Sequence, residues 1–175
     1  MKISLLGYMG SGKTTVGKQL AELMGLGFID LDEYIEVREG KSIQEIFTEK
    51  GEIYFRKLEN ELLKEVLSEK SFILSTGGGT PSFYNNMDLI NKNSLSFYLH
   101  ASPTALADRL NQGQVERPLI AHVASEDLVE FIAKHLFERN AFYQMAHESI
   151  ATSNRSVEEV VSAIHDKIKT HQNLS

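Results

Sequence analysis

An octapeptide near the N-terminus limits what this chain can fold into. The sequence GYMGSGKT at residues 7–14 matches the pattern GxxxxGK[ST] in full. The apolar run Lys2–Leu6 precedes it, and Lys13–Met24 has leucines and a valine at helical spacing before Gly25. These segments predict a strand, a loop and a helix, which is the setting in which this motif binds phosphate groups. We therefore expect a P-loop fold.

The residues of the motif have distinct expected roles. The glycines allow backbone geometries that turn successive N–H groups inward, and the following helix contributes its positive N-terminal end. Lys13 should reach the β- and γ-phosphates, and the Thr14 hydroxyl should ligate Mg²⁺. The expected ATP contacts in the loop are Gly10, Ser11, Gly12, Lys13, Thr14 and Thr15. The motif does not identify the acceptor, because GTPases, ATPases and metabolite kinases share it.

Composition limits the remaining possibilities. A chain of 175 residues with 42% hydrophobic and 24% charged residues is typical of one globular domain, 1–175. The net charge of -6 argues against bulk binding to nucleic acid or to an anionic membrane. No apolar run is long enough to span a bilayer, and there are no cysteines. We expect a cytoplasmic protein that binds anions at one confined site and not through its overall charge.

Apolar runs of strand length alternate with longer segments of helical periodicity. This alternation predicts an α/β fold, a parallel sheet with helices on both faces. The capping boxes that begin at Ser42 and Ser156 each predict the start of a helix. The predicted strands are Lys2–Leu6, Gly27–Asp30, Phe72–Ser75, Leu95–Leu99 and Ser149–Thr152.

Two segments interrupt this alternation. Residues 31–68 are too long and too helical for a plain crossover, so we interpret them as a helical arm that binds the acceptor. Residues 111–125 lack clean periodicity and have the length usual for a lid. The core of the domain, which carries the P-loop, would then comprise residues 1–30, 69–110 and 126–175.

The second predicted strand ends in Asp30-Leu31-Asp32. Alternation along an extended chain would place both carboxylates on one side, at the carboxyl edge of the sheet where ligands bind in open α/β folds. One carboxylate could bind the metal, and the other could bind an acceptor hydroxyl. An aspartate before a helix is equally often an N-cap, so at this point both interpretations stand.

Three consecutive glycines, Gly77, Gly78 and Gly79, follow the third predicted strand. They would let a ligand lie directly on the backbone, although a flexible turn is the simpler interpretation. Arg56, Arg117 and Arg139 lie in the arm, in the lid and in a later helix. Taken alone, each of these arginines is more often a solvent-exposed charge than a ligand-binding residue. Arg56 could instead form an ion pair with Glu52 or Glu59 along its helix.

Taken together, these segments resemble the shikimate kinase family over nearly the whole chain. The matching motifs, in order, are the P-loop at 7–14, Asp30-Leu31-Asp32, Phe55-Arg56 with Glu59, Gly77-Gly78-Gly79, Arg117-Pro118-Leu119, and Arg139 with Tyr143. The resemblance implies transfer of the γ-phosphoryl group of ATP to the 3-hydroxyl of shikimate, on the route to chorismate and the aromatic amino acids. It also implies a strand order of 2-3-1-4-5 and a monomer.

The resemblance also implies the site residues. Asp32 would hold the acceptor hydroxyls, Asp30 would reach Mg²⁺, and Arg56 and Arg139 would bind the shikimate carboxylate. A guanidinium can bind a carboxylate through two parallel hydrogen bonds, which fits this acceptor. Further implied contacts are Gly77, Gly78 and Gly79 with the ring hydroxyls, Lys13 and Arg117 with the transferring phosphate, and Arg109 and Arg155 with the adenine.

Three other classes of protein share part of this pattern. Gluconate kinases have a similar P-loop, but their acidic motif continues to a histidine, whereas Glu33-Tyr34 follows Asp32 here. The three glycines are unusual for nucleoside monophosphate kinases. A nucleotide switch of the GTPase type would need an NKxD-like guanine motif, which the sequence lacks.

Overall fold

One parallel sheet organises the computed structural model, which describes residues 1–112, 120 and 123–173. Its strands are β1 (Lys2–Leu6), β2 (Phe28–Asp30), β3 (Phe72–Ser75), β4 (Leu95–His100) and β5 (Glu148–Ala151). They pair in the order β2-β3-β1-β4-β5, and every pairing is parallel. The strand order implied by the resemblance is confirmed, and the predicted strand ends are correct to within one residue.

Helices connect these strands. They are α1 (Lys13–Met24), α2 (Leu31–Glu39), α3 (Ile43–Ser68), α4 (Asn86–Asn93), α5 (Pro103–Gln112), α6 (Leu128–Tyr143) and α7 (Val157–Asn173). The α1 helix has the predicted bounds and ends at Gly25 with a left-handed φ of 63°. Both predicted capping boxes form, at Ser42 with Glu45 and at Ser156 with Glu159. A single 3₁₀ turn, Thr80–Ser82, follows the three glycines.

The sheet separates two apolar cores. Side chains of α1 and α7, such as Leu20 and Ile164, pack with Ile3 and Leu5 on one face. Side chains of α2, α3 and α4 pack with Leu6 and Leu74 on the other face. Because both faces of β1 are buried, the P-loop that follows it has a rigid base.

The segment interpreted as an arm consists of α2 and α3. The α3 helix is interrupted at Gly51, whose φ of 78° and ψ of 171° are not helical. The expectation of several helices between the second and third strands is therefore confirmed. Most of the predicted lid at 111–125, including Arg117, lies outside the described residues. Within the described ranges, no helix combines the length and apolar character needed to cross a membrane.

Candidate functional site

The P-loop leaves β1 and curls around the ammonium group of Lys13. Gly10 and Gly12 have φ values of 79° and 96°, which a residue with a side chain rarely adopts. The Lys13 Nζ donates to the carbonyl oxygens of Gly7 at 2.8 Å and Tyr8 at 3.1 Å. These bonds keep the charge inside the loop, where it can meet a phosphate oxygen.

A cleft of about 500 Å³ opens beside this loop. The P-loop forms one wall, and Asp30 and Asp32 lie at the same opening. Gly78 lies on the side of the third strand, and Arg109 and Arg155 lie on the opposite side. The cleft therefore brings together the predicted nucleotide contacts and the acidic pair.

Asp30 links the end of β2 to the P-loop. Its Oδ2 accepts a hydrogen bond of 2.8 Å from the Thr14 hydroxyl, and its Oδ1 accepts one of 3.1 Å from the Asp32 N–H. Asp30 is thus the N-cap of α2, so the expectation of an extended chain through Asp32 is wrong. The helix begins at Leu31 because the Asp30 carboxylate satisfies one of its free N–H groups. Both carboxylates nevertheless face the cleft.

Asp32 lies where its carboxylate is costly to ionise. Burial raises the pKa of Asp32 to about 6, and the negative charges of Asp30 and Glu59 add to this rise. The positive charge of Lys13 opposes it. A carboxyl group with a pKa close to the working pH is suited to accept a proton from a hydroxyl.

Each of the three glycines lies against one of the predicted acceptor residues. A Cβ placed on Gly77 would lie 2.7 Å from Asp32 Oδ1, and one on Gly79 would lie 2.9 Å from an Arg56 terminal nitrogen. A Cβ on Gly78 would lie 3.8 Å from an Arg139 terminal nitrogen.

Gly78 also lies next to the P-loop. A Cβ on this glycine would lie 3.5 Å from the backbone nitrogen of Met9. The glycine run is thus the surface on which the acceptor residues and the phosphate loop meet.

Glu59 and aromatic rings hold Arg56 in place. Its Nη1 donates to Glu59 Oε2 at 2.8 Å, and Glu59 is 1% exposed. Its Nε lies 3.5 Å from Glu52, and its guanidinium carbon lies 3.9 Å from the centroid of the Phe83 ring. The alternative in which Arg56 forms helical ion pairs is therefore confirmed. Those pairs also aim its terminal nitrogens at Gly79, so they are compatible with ligand binding.

Arg139 projects from α6 toward the middle glycine. One turn later, the Tyr143 hydroxyl donates a hydrogen bond of 2.5 Å to the Gly78 carbonyl oxygen. Burial raises the pKa of this hydroxyl, and the Arg139 charge opposes the rise. The sequence pairs Arg139 with Tyr143, and in the structure Tyr143 bonds to the glycine run while Arg139 lies near it.

A buried polar network fixes the turn after the glycines. The Thr80 hydroxyl donates to Glu59 Oε1 at 2.6 Å, and the Asn86 side chain donates to the Thr80 carbonyl oxygen at 2.8 Å. The Asn60 side chain in turn donates to Asn86 at 2.6 Å. Helices α3 and α4 thereby determine the position of the glycine run.

The two arginines expected near the adenine differ in their anchoring. Arg109 donates to the Gly10 carbonyl oxygen at 3.2 Å and to the Thr152 carbonyl oxygen at 2.6 Å. Arg155 is exposed and has a weak contact of 3.5 Å with the Ala151 carbonyl oxygen. Both line the cleft, on the side away from the glycine run.

Sequence reasoning gave no role to Tyr8, Thr80 or Asn86. Thr80 directly follows the glycines, so its position in the chain could have suggested a role in holding them. Asn86 carried no sequence signal, because its contacts depend on how α4 packs against α3.

The fold and the site together define a class. A P-loop on a parallel 2-3-1-4-5 sheet, facing an acceptor pocket built from carboxylates and arginines, is the arrangement of a P-loop kinase for a small anionic molecule.

Comparisons with known proteins identify the family. The family model "Shikimate kinase" matches residues 9–169. The shikimate kinase of Flavobacterium johnsoniae is 47% identical over 167 residues, which cover 94% of this chain and 97% of that protein. The chain therefore belongs to the shikimate kinase family.

Solved structures agree with this assignment. The crystal structure of shikimate kinase from Bacteroides thetaiotaomicron has a TM-score of 0.92 and 38% identity, and the match covers 97% of this chain and 98% of that one. The shikimate kinase from Acinetobacter baumannii, solved in complex with shikimate, has a TM-score of 0.88 and 33% identity. This match covers 97% of this chain and 93% of that one.

Proposed function

We propose that this protein transfers the γ-phosphoryl group of ATP to the 3-hydroxyl of shikimate, giving shikimate 3-phosphate and ADP. The observation that carries the proposal is the glycine run. Its three members lie against Asp32, Arg139 and Arg56 in turn, and Gly78 also lies against the P-loop. An acceptor on this run would have its carboxylate near two guanidiniums and a hydroxyl near both Asp32 and the phosphate site.

The arginines select the acceptor. Arg56 and Arg139 bind the carboxylate, because a planar guanidinium offers it two parallel donors. Gly77, Gly78 and Gly79 contact the ring through their backbone. A neutral sugar has no carboxylate to accept hydrogen bonds from these guanidiniums, and the loss of those charge-assisted bonds favours shikimate over such a sugar.

Asp32 orients the attacking hydroxyl and accepts its proton. As the oxygen bonds to the γ-phosphorus, the bond from phosphorus to the ADP oxygen breaks and ADP leaves with the electron pair. Lys13 stabilises the charge on the transferring group from the phosphate side. Arg117, which lies outside the described residues, is proposed from the sequence to contact the same group.

The residues beside the P-loop fit Mg²⁺. The Thr14 hydroxyl and the Asp30 carboxylate are hard oxygen donors, and they lie 2.8 Å apart at the edge of the cleft. Thr14 would ligate the ion directly and Asp30 through water. A bound Mg²⁺ would neutralise charge on the β- and γ-phosphate oxygens.

The proposal extends to the setting of the enzyme. We place it in the cytoplasm as a monomer of one domain, in which residues 31–68 bind the acceptor. Gly10, Ser11, Gly12, Thr15, Arg109 and Arg155 contribute to ATP binding.

An acceptor panel tests this function. ADP release is followed in a coupled assay with ATP, Mg²⁺ and either shikimate, gluconate, a nucleoside monophosphate or no acceptor. We expect turnover above the acceptor-free rate with shikimate alone. Turnover with gluconate or a monophosphate in place of shikimate would overturn the proposal, and equal rates with and without acceptors would indicate a plain ATPase.

A further inference from the structure

Tyr8 is a P-loop residue whose ring belongs to a buried apolar cluster. The side chain is 1% exposed and packs between α5 and α6, against Leu106 and Ile132. Its hydroxyl lies 3.1 Å from Nδ1 of His135 on α6. Its backbone carbonyl accepts a hydrogen bond from Lys13. A single residue therefore contacts the phosphate-binding lysine through its backbone and α6 through its ring.

The ring of Tyr8 also faces Arg139. The guanidinium carbon of Arg139 lies 5.6 Å from the centroid of this ring, within the range of a cation–π interaction. Arg139 is one helical turn after His135, so the tyrosine spans the α6 face that carries both. The same guanidinium lies near Gly78, since a Cβ placed on that glycine would be 3.8 Å from an Arg139 terminal nitrogen. The group that would bind the acceptor thus lies near both the tyrosine ring and the glycine run.

We propose that Tyr8 is a positioning residue for Arg139, and so a P-loop residue that serves the acceptor rather than the nucleotide. This inference rests on the proposed function. A long arginine side chain loses rotational freedom when it binds a carboxylate, and a ring that holds it beforehand reduces that loss. Removing the ring should therefore weaken acceptor binding while leaving the backbone that binds phosphate in place.

Steady-state kinetics of Tyr8→Met and Tyr8→Leu test this inference. Both side chains fill much of the space without offering an aromatic face. We expect the KM for shikimate to rise about three- to tenfold, as loss of a cation–π contact implies. The KM for ATP and kcat should stay within about twofold of the wild type. Tyr8→Phe, which keeps the ring, should restore most of the affinity for shikimate.

Two further variants separate positioning from packing. Phe131→Leu changes a ring whose centroid lies 4.3 Å from that of His135 but leaves the pair of Tyr8 and Arg139 intact, so the KM for shikimate should not move. In an Arg139→Met background, which removes the cation, Tyr8→Met should raise the KM for shikimate by less than about a further twofold, because the two changes remove one interaction.

The outcomes are distinct. A folded Tyr8→Met or Tyr8→Leu protein with an unchanged KM for shikimate would overturn the inference while leaving the proposed function intact. A rise in the KM for ATP alone would also overturn it, since Tyr8 would then support only the phosphate loop. Failure of the wild type to phosphorylate shikimate would overturn both.

Discussion

At the scale of single residues, Asp32 shows how the fold creates a reactive group. The residue lies in the first turn of a helix, and the nearby carboxylates of Asp30, Glu59 and Glu36 disfavour its charge. Among the described residues, Lys13 is the cation that favours its charge. Its pKa of about 6 is the result. The same surroundings that make the carboxylate costly to ionise make it a better acceptor for a hydroxyl proton.

Asp32→Asn should reduce kcat by about 100-fold or more, because the amide cannot accept the proton. In the wild type, kcat should fall as the pH is lowered through about 6, since Asp32 becomes protonated there. The residual activity of the variant should not show this fall. Initial rates from pH 5 to pH 9 measure both effects, and an unchanged kcat would leave Asp32 as a purely structural residue.

The same substitution should stabilise the fold. A carboxyl group whose pKa is raised on folding binds its proton more tightly in the folded chain, so its contribution to stability falls as the pH rises from about 4 to about 6. Asp32→Asn removes this loss. The free energy of unfolding at pH 7.5 should therefore be about 1–2 kcal/mol higher in the variant than in the wild type, after allowance for solvent screening. The gain should vanish near pH 4.

Urea unfolding at the two pH values measures this difference. Glu33→Gln, on the exposed side of the same helix, is the matched control and should change little at either pH. If Asp32→Asn were less stable than the wild type at pH 7.5, the description of Asp32 as a destabilising charge would be wrong.

Arg139 illustrates why the type of cation matters. An ammonium cannot reproduce the two parallel bonds that a guanidinium makes to a carboxylate. Arg139→Lys should therefore raise the KM for shikimate at least about tenfold, the loss of one charge-assisted hydrogen bond, with little change in the KM for ATP. Steady-state kinetics measure the two constants. If both stayed constant and only the melting temperature fell, Arg139 would be a structural residue of α6.

At the scale of elements, the position of the glycine run depends on α4. Asn86 is fully buried, donates to the Thr80 carbonyl oxygen and accepts from Asn60. Asn86→Ala would remove the acceptor of the buried Asn60 amide and leave the Thr80 carbonyl with a long bond of 3.5 Å from the Phe83 N–H. This loss should destabilise the protein by about 1–3 kcal/mol. The KM for shikimate should also rise, because the turn that carries the glycines would loosen.

Asn93→Ala on the same helix provides the control. Asn93 is exposed, and its side chain donates to the Leu89 carbonyl oxygen of its own helix. Replacing it should lower the free energy of unfolding by less than about 1 kcal/mol. Thermal unfolding of the two variants compares them. Equal stabilities would show that the buried network does not hold the turn.

Element boundaries could largely be predicted from the sequence. The α1 helix follows from its apolar spacing and from Gly25, and the two capping boxes identify the starts of α3 and α7. The helical arm was predicted to begin at residue 31, where α2 does begin, but the extended alternation used to orient Asp32 was wrong beyond Asp30. Local patterns do not show which of two aspartates is the cap when both precede a helical segment.

At the scale of the whole molecule, the sheet order came from the resemblance and not from periodicity. Strand patterns predict that strands pair in parallel, but not which strand lies in the centre. The candidate site was predicted in its residue types, since Asp32, Arg56 and Arg139 were named from motifs. Their arrangement around the three glycines could not be predicted, because it depends on how α2, α3 and α6 pack around one turn.

The identity of the phosphorylated product is the strongest test of whether this protein phosphorylates shikimate at its 3-hydroxyl. The protein is incubated with ATP, Mg²⁺ and shikimate, and the product is examined by phosphorus and proton NMR. We expect a single new phosphomonoester whose phosphorus couples to the ring proton at carbon 3, formed in equal amount to ADP. A phosphorus coupled to another ring proton, or ADP accompanied only by inorganic phosphate, would contradict it.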